Sequence, residues 1–118
     1  MSETREPTVF ERIVAREIPA DIVAETERVI AFADIAPKAP VHVLVVPKTA
    51  AYRDVVELAA GDPALLAEVV DLASRVAAER AGGQFRLVFN TGADAGQTVF
   101  HVHAHVLAGF GQGDHDGL

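Results

Sequence analysis

Residues 100–106 read Phe100-His101-Val102-His103-Ala104-His105-Val106. In an extended strand, successive side chains point to opposite faces. The spacing therefore predicts His101, His103 and His105 on one face, with Phe100, Val102, Ala104 and Val106 on the other. The apolar set explains how such a strand is held in a core. It gives no reason for three imidazoles in a row, because imidazolium groups so close repel and an unpaired buried imidazole costs free energy. Three histidines at strict period two point to chemistry. One candidate chemistry is a metal site with the three rings as ligands, since imidazole commonly binds zinc. No Asp or Glu in the segment offers itself as the general base such a site needs.

The neighbouring sequence favours a phosphate. Residues 90–98, Asn90-Thr91-Gly92-Ala93-Asp94-Ala95-Gly96-Gln97-Thr98, form a loop rich in Gly and Ala ahead of the histidines. Such a loop presents backbone N–H groups and a hydroxyl to an anionic oxygen, although taken alone it also suits a plain hairpin connection. His42 stands in a Val-rich strand opposite in face to Val41, Val43 and Val45. On an adjacent strand it would meet the three histidines.

Working outward, residues 1–8 read as a loose arm. A short helix is predicted over 9–16, with Phe10, Ile13 and Val14 on one side and Pro19 beyond its end. Residues 26–35 and 41–46 read as strands separated by the turn Ala36-Pro37-Lys38-Ala39-Pro40. Residues 48–61 hold at most a short helix over 55–59. Asp62 is placed as the N-cap of a long helix with Pro63 at its first position. Leu65, Val69, Leu72 and Val76 give that helix an apolar face to about Ala81, where Gly82-Gly83 stops it. Residues 84–90 and 98–107 read as the last strands, and 110–118, including His115, as a flexible tail. The pattern predicts an α+β domain over 9–109. Its sheet is an antiparallel meander of about five strands, with one long and one short helix on a single face.

Composition narrows the function. The chain has 118 residues, one domain's worth, with 10 Lys+Arg against 17 Asp+Glu, a net charge of −7. An acidic chain repels the backbone of DNA or RNA, so no nucleic-acid polymer is expected as a partner. The absence of cysteine excludes disulfides, thiol catalysis and cysteine-ligated zinc. No stretch is apolar for long enough to span a membrane, and the polar opening is no secretory signal, so a cytoplasmic location is the default expectation.

Several motifs together resemble the histidine triad (HIT) family, in particular its nucleotide-binding, purine nucleoside phosphoramidase branch. They are Phe10-Glu11-Arg12-Ile13-Val14, Arg16-Glu17-Ile18-Pro19-Ala20, Ala33-Asp34-Ile35-Ala36-Pro37, Val41-His42-Val43-Leu44-Val45-Val46-Pro47-Lys48 and Gly96-Gln97-Thr98-Val99-Phe100-His101-Val102-His103. The resemblance implies a HIT-like fold, a homodimer whose two sheets join, a purine nucleoside monophosphate site and no required metal or cofactor. It implies Phe10, Ile13, Phe32 and Ile35 beside the base and Asp34 on the ribose hydroxyls. Asn90, Gly96 and Thr98 would hold the phosphate or leaving group, and Gln97 would be a further nucleotide-binding residue. Two positions depart from the branch, which usually has Ser at Thr98 and Tyr at Phe100; the Trp-Pro-Pro ending of the animal members is also missing. His105 stands where the nucleotidyl-transferase relatives have Gln, which implies hydrolysis.

From these residues we expect neutral His103 to attack the α-phosphorus and form a nucleotidyl-histidine. His105, two residues on, would supply the leaving amine's proton, and His101 and His42 would orient the rings and relay protons. A dinucleoside polyphosphate hydrolase and a non-catalytic nucleotide-binding or adaptor protein are the alternatives that the sequence leaves open.

Overall fold

Asp62 opens the longest helix. Its side chain accepts from the Leu65 N–H at 3.0 Å, and Pro63 occupies a first-turn position that needs no N–H. The helix, α3 (Pro63–Ala81), buries Leu65, Val69, Leu72, Ala73, Val76 and Ala77 along one stripe and ends at Gly82, whose φ of 62° is a left-handed conformation that glycine adopts without strain. Its start, face and end are those predicted.

The computed structural model describes residues 6–111. The remaining elements are α1 (Val9–Val14), β1 (Ile22–Glu25), β2 (Val29–Ala33), β3 (Val41–Pro47), α2 (Val55–Gly61), β4 (Arg86–Val88) and β5 (Ala104–Ala108). The strands form one sheet in the order β1-β2-β3-β5-β4, and every neighbouring pair is antiparallel. The fold is α+β with five strands, as predicted. The meander holds for β1 to β3 only. The last strand then returns between β3 and β4, which brings the histidine segment beside the His42 strand.

Both faces of this sheet are apolar, because β2 and β3 carry nearly unbroken apolar runs. Val29, Ala31, Val43, Val45, Ala104 and Val106 pack against α3. Ile30, Phe32, Leu44 and Val46 pack against Phe10 and Ile13 of α1. The expectation that the helices share one face is therefore corrected. A strand buried on both sides cannot say which helix covers which face. Burying each large apolar side chain contributes about 1.5–3 kcal/mol, and α1 supplies the cover on the side that also carries the histidines.

Several boundaries also differ. The strand expected over 26–35 is confined to β2, Val29–Ala33, and β1, which was not expected, pairs with it across a turn in which the Thr26 N–H bonds to the Val29 carbonyl at 2.8 Å. The helix expected to 16 ends at Val14, with Arg16 at φ 62° and its guanidinium on Glu25 at 2.7 Å. The strand expected over 84–90 is confined to Arg86–Val88. The short helix expected over 55–59 extends to Gly61. Thr8, expected in a loose arm, caps α1. It accepts the Glu11 N–H while Glu11 accepts the Thr8 N–H, a reciprocal capping box. Residues 1–5 and 112–118, including His115, lie outside the described residues. Among the described residues no helix is long and apolar enough to cross a membrane.

The largest difference lies at the decisive segment. The strand expected over 98–107 begins only at Ala104. Ladder pairing of β3 with β5 stops at Val45↔Ala104. Beyond it the Pro47 carbonyl bonds to the His101 ring at 2.8 Å, and the Val102 N–H bonds to the Tyr52 carbonyl at 3.0 Å. A side chain thus takes the place of a ladder partner.

Candidate active site

β3 and β5 set the first pair of rings. His105 lies opposite Leu44, and His42 lies opposite Leu107. His42 and His105 are therefore diagonal neighbours on one face. His42 Nε2 and His105 Nδ1 are 3.0 Å apart. His42 Nδ1 accepts the Lys38 backbone N–H at 2.9 Å. A backbone N–H only donates, so the hydrogen of neutral His42 sits on Nε2 and is donated to His105 Nδ1. Neutral His105 then carries its own hydrogen on Nε2.

His103 is fixed by the opposite logic. Its Nδ1 is 2.8 Å from the His101 carbonyl, which only accepts. Nδ1 carries hydrogen, and the lone pair of the neutral ring is on Nε2. Rings 103 and 105 have centroids 5.1 Å apart, and the Phe10 ring packs edge-on against both His101 and His103 at 5.6 and 4.9 Å. His101, His103 and His42 are buried and His105 is partly buried. The arc thus holds a ring with an available basic nitrogen beside a ring with an available N–H.

Burial pushes His103 below the ordinary histidine range, opposed by its bond to the His101 carbonyl and by Asp34. His105 is pushed down to about 4, first by burial and then by the neighbouring His103 and His42, with Asp34 opposing. His42 is also lowered by burial, against the pull of Asp34. All three rings are neutral at neutral pH, the state a nucleophile needs.

Asp34 follows β2 and joins this group. Its Oδ1 accepts the Ala36 N–H at 2.8 Å, and its Oδ2 lies 3.4 Å from His42 Nε2. Phe10, Ile13 and Phe32, expected at the base, form one buried cluster touching the rings through Phe10. Ile35 is 96% exposed. In the loop, the Asn90 side chain lies against Gly96, whose φ of 99° suits glycine. Thr98 is exposed. Gln97, expected at the nucleotide, is buried instead in the loop's own framework. Its Oε1 accepts the Gly92 N–H at 2.9 Å, and its Nε2 donates to the Arg53 and Val99 carbonyls at 2.6 and 3.0 Å.

The arrangement also bears on the metal alternative. Among the described residues, the group whose ligand atoms lie within 4.8 Å of one another is Asp34, His42 and His105, not His101, His103 and His105. The His42 atom nearest that group is Nε2, which carries hydrogen while Lys38 bonds Nδ1, so binding a cation there requires breaking the Lys38 contact.

The HIT domain profile matches residues 15–112, which spans the His42 strand, the loop and all three histidines. The chain belongs to the HIT family. A HIT-like protein of Synechocystis sp., itself uncharacterized, is 49% identical over 108 residues, covering 88% of this chain and 91% of its own. The purine nucleoside phosphoramidase of Escherichia coli is 38% identical over 106 residues, covering 88% of each chain. Among solved structures, a HIT family hydrolase from Clostridium thermocellum superposes with a TM-score of 0.85 at 44% identity, covering 93% of this chain and 96% of that one. A histidine triad protein from Clostridium difficile gives 0.84 at 34% identity, covering 97% and 100%.

In this HIT domain, sequence patterning alone passed over the groups that fix the rings. Lys38 acts through its backbone N–H and Pro47 through its carbonyl, and neither leaves a residue-type signature. Thr8 did leave one, because Thr8-x-x-Glu11 ahead of an apolar run is a capping-box pattern.

Proposed function

We propose that this HIT domain hydrolyses nucleoside 5'-monophosphate derivatives, with purine nucleoside phosphoramidates as the favoured class, through a covalent nucleotidyl-His103 intermediate. The observation that carries the proposal is the bond from His103 Nδ1–H to the His101 carbonyl, which puts the lone pair of a neutral imidazole on Nε2. Nε2 attacks the α-phosphorus as the P–N bond breaks. The leaving amine takes a proton from His105 Nε2. That proton is an additional one: a bound phosphoryl anion opposes the effects that lower His105, so in the complex the ring takes up a second proton, gives it to the amine and returns to the neutral imidazole. Water then attacks the phosphorus, His105 takes a proton from it, and the P–N bond to His103 breaks to release the nucleoside monophosphate.

We assign the remaining roles by resemblance to the family. Asp34 accepts from the ribose hydroxyls. Ile35 and the Phe10–Ile13–Phe32 cluster border the base. Asn90, Gly96 and Thr98 hold the phosphate side, with Gln97 shaping their loop. The phosphoramidase among the relatives supports this substrate class. The proposal includes a homodimer joined along a free sheet edge, since β1 and β4 are the outer strands of the sheet; sedimentation velocity would show it.

The test is a turnover panel of adenosine and guanosine phosphoramidates, a dinucleoside polyphosphate and an adenylylated amine, with chelator present. The proposal expects phosphoramidates to turn over fastest and His103→Ala to abolish the activity. Comparable turnover by His103→Ala, or binding of nucleoside monophosphate with no turnover of any substrate, would overturn it.

A further inference from the structure

The ring of His101 is held at both ends, and one of those ends is the first residue of a helix cap. His101 Nε2 lies 2.8 Å from the Pro47 carbonyl. That oxygen only accepts, so Nε2 carries hydrogen. His101 Nδ1 lies 2.7 Å from Thr8 Oγ1. Thr8 Oγ1 meanwhile accepts the Glu11 N–H at 3.0 Å, which leaves the single hydroxyl proton for His101 Nδ1. The capping box of α1 and the ring of His101 therefore share one hydroxyl.

This matters because residues 98–103 lie outside the ladder, which β5 joins only from Ala104. The backbone carbonyl of His101 is nonetheless the group that holds His103 Nδ1–H. Its position depends on the pinned ring, backed by the Val102 N–H bond to the Tyr52 carbonyl. We propose that Thr8 is a positioning residue for the nucleophile: its hydroxyl donates to His101 Nδ1, fixes that ring between Thr8 and Pro47, and so places the His101 carbonyl that sets the tautomer of His103. This rests on the functional proposal only in calling His103 the nucleophile. The arrangement of tautomers is testable without any substrate.

Three variants separate the hydroxyl's two tasks. Thr8→Ser keeps the cap and the donor. Thr8→Asp keeps an N-cap acceptor for the Glu11 N–H, and an acid is favourable at a helix start, but its carboxylate cannot donate. Thr8→Val removes both. Imidazole 15N NMR on the full chain reads the protonation of each ring nitrogen directly. The proposal expects wild type and Thr8→Ser to show His101 with hydrogen on Nε2 and none on Nδ1, and His103 with hydrogen on Nδ1. Thr8→Asp is expected to unfold at the wild-type temperature, yet place hydrogen on His101 Nδ1. With a phosphoramidate substrate its kcat is expected to fall by at least about tenfold with little change in KM, because a small misplacement of a reacting group is costly. Thr8→Ser is expected to restore the rate.

Wild-type protein with hydrogen on His101 Nδ1 would overturn the proposal, and so would a folded Thr8→Asp with wild-type kcat and pH profile. If Thr8→Asp does not fold, the wild-type spectrum alone still decides. A wild-type protein that shows these tautomers but turns over no phosphoramidate would leave the Thr8 assignment standing and remove the functional proposal instead.

Discussion

Lowering the pH from about 7.5 to about 5 should destabilise this protein through its buried histidines. His105 is held down to about 4 by burial and by its two histidine neighbours, whereas the unfolded chain returns it to about 6.5. The folded value is below the unfolded one, so between the two the unfolded state binds more protons. Stability contributed by the neutral ring is complete above the unfolded value and is lost as pH falls towards the folded one. At about pH 5 the unfolded ring is almost fully protonated and the folded ring almost neutral, and the linkage integral for this one residue is about 2 kcal/mol. His42 and His103 are lowered too, so they add in the same direction. Glu25, Glu57 and Asp62 are also lowered, but from values below this window. Urea unfolding at fixed protein concentration, from about pH 7.5 to about pH 5, should therefore lose at least about 2 kcal/mol in wild type. In His105→Asn that loss should shrink by about 2 kcal/mol. A wild-type stability that stays flat across the window, or an undiminished loss in His105→Asn, would refute the burial of neutral rings on which the site is argued.

Other consequences follow from single contacts. Because the His103 ring is lowered, the acid limb of kcat/KM for a phosphoramidate should fall below the ordinary histidine value of about 6.5; a limb above it would contradict the neutral resting ring. Gln97→Ala leaves the Gly92 N–H and two carbonyls without their partner and should cost about 1–3 kcal/mol in urea unfolding, with a loss in kcat for a phosphoramidate. Leu65→Ala should cost about 2–5 kcal/mol by opening a cavity under α3 while leaving the KM of the folded enzyme unchanged. Gly96→Ala forces a side chain into a left-handed backbone at φ 99° and should weaken nucleoside monophosphate binding, measured by calorimetry.

The parts of the fold that the sequence made legible are those governed by local rules. Asp62-Pro63 with Gly82 bounded α3 because caps are written in residue type. The meeting of His42 with His105 was legible because both stand inside true ladder strands. His101 and His103 share the same site for a different reason from the alternation that predicted it. Their segment lies outside the ladder, which ends at Val45 and Ala104, and hydrogen bonds to the Pro47, Tyr52 and His101 carbonyls hold it. Carbonyls belong to every residue, so no pattern of side chains announces them. Which face each helix covers was illegible for a similar reason, since β2 and β3 are apolar on both sides. Gln97 was legible as part of the loop that shapes the site, but its burial shows that it builds that loop from within.

The central claim is that His103 becomes covalently nucleotidylated. Rapid quench into alkali, which preserves phosphoryl-histidine, followed by intact mass measurement and peptide mapping, tests it most directly. During turnover of an adenosine phosphoramidate, wild type should gain the mass of one nucleoside monophosphoryl group mapped to His103. The adduct should build up further in a His105 variant supplied with a substrate whose leaving group needs no proton. Absence of any adduct under both conditions, with turnover continuing, or an adduct on His101, His105 or His42 in place of His103, would contradict the account.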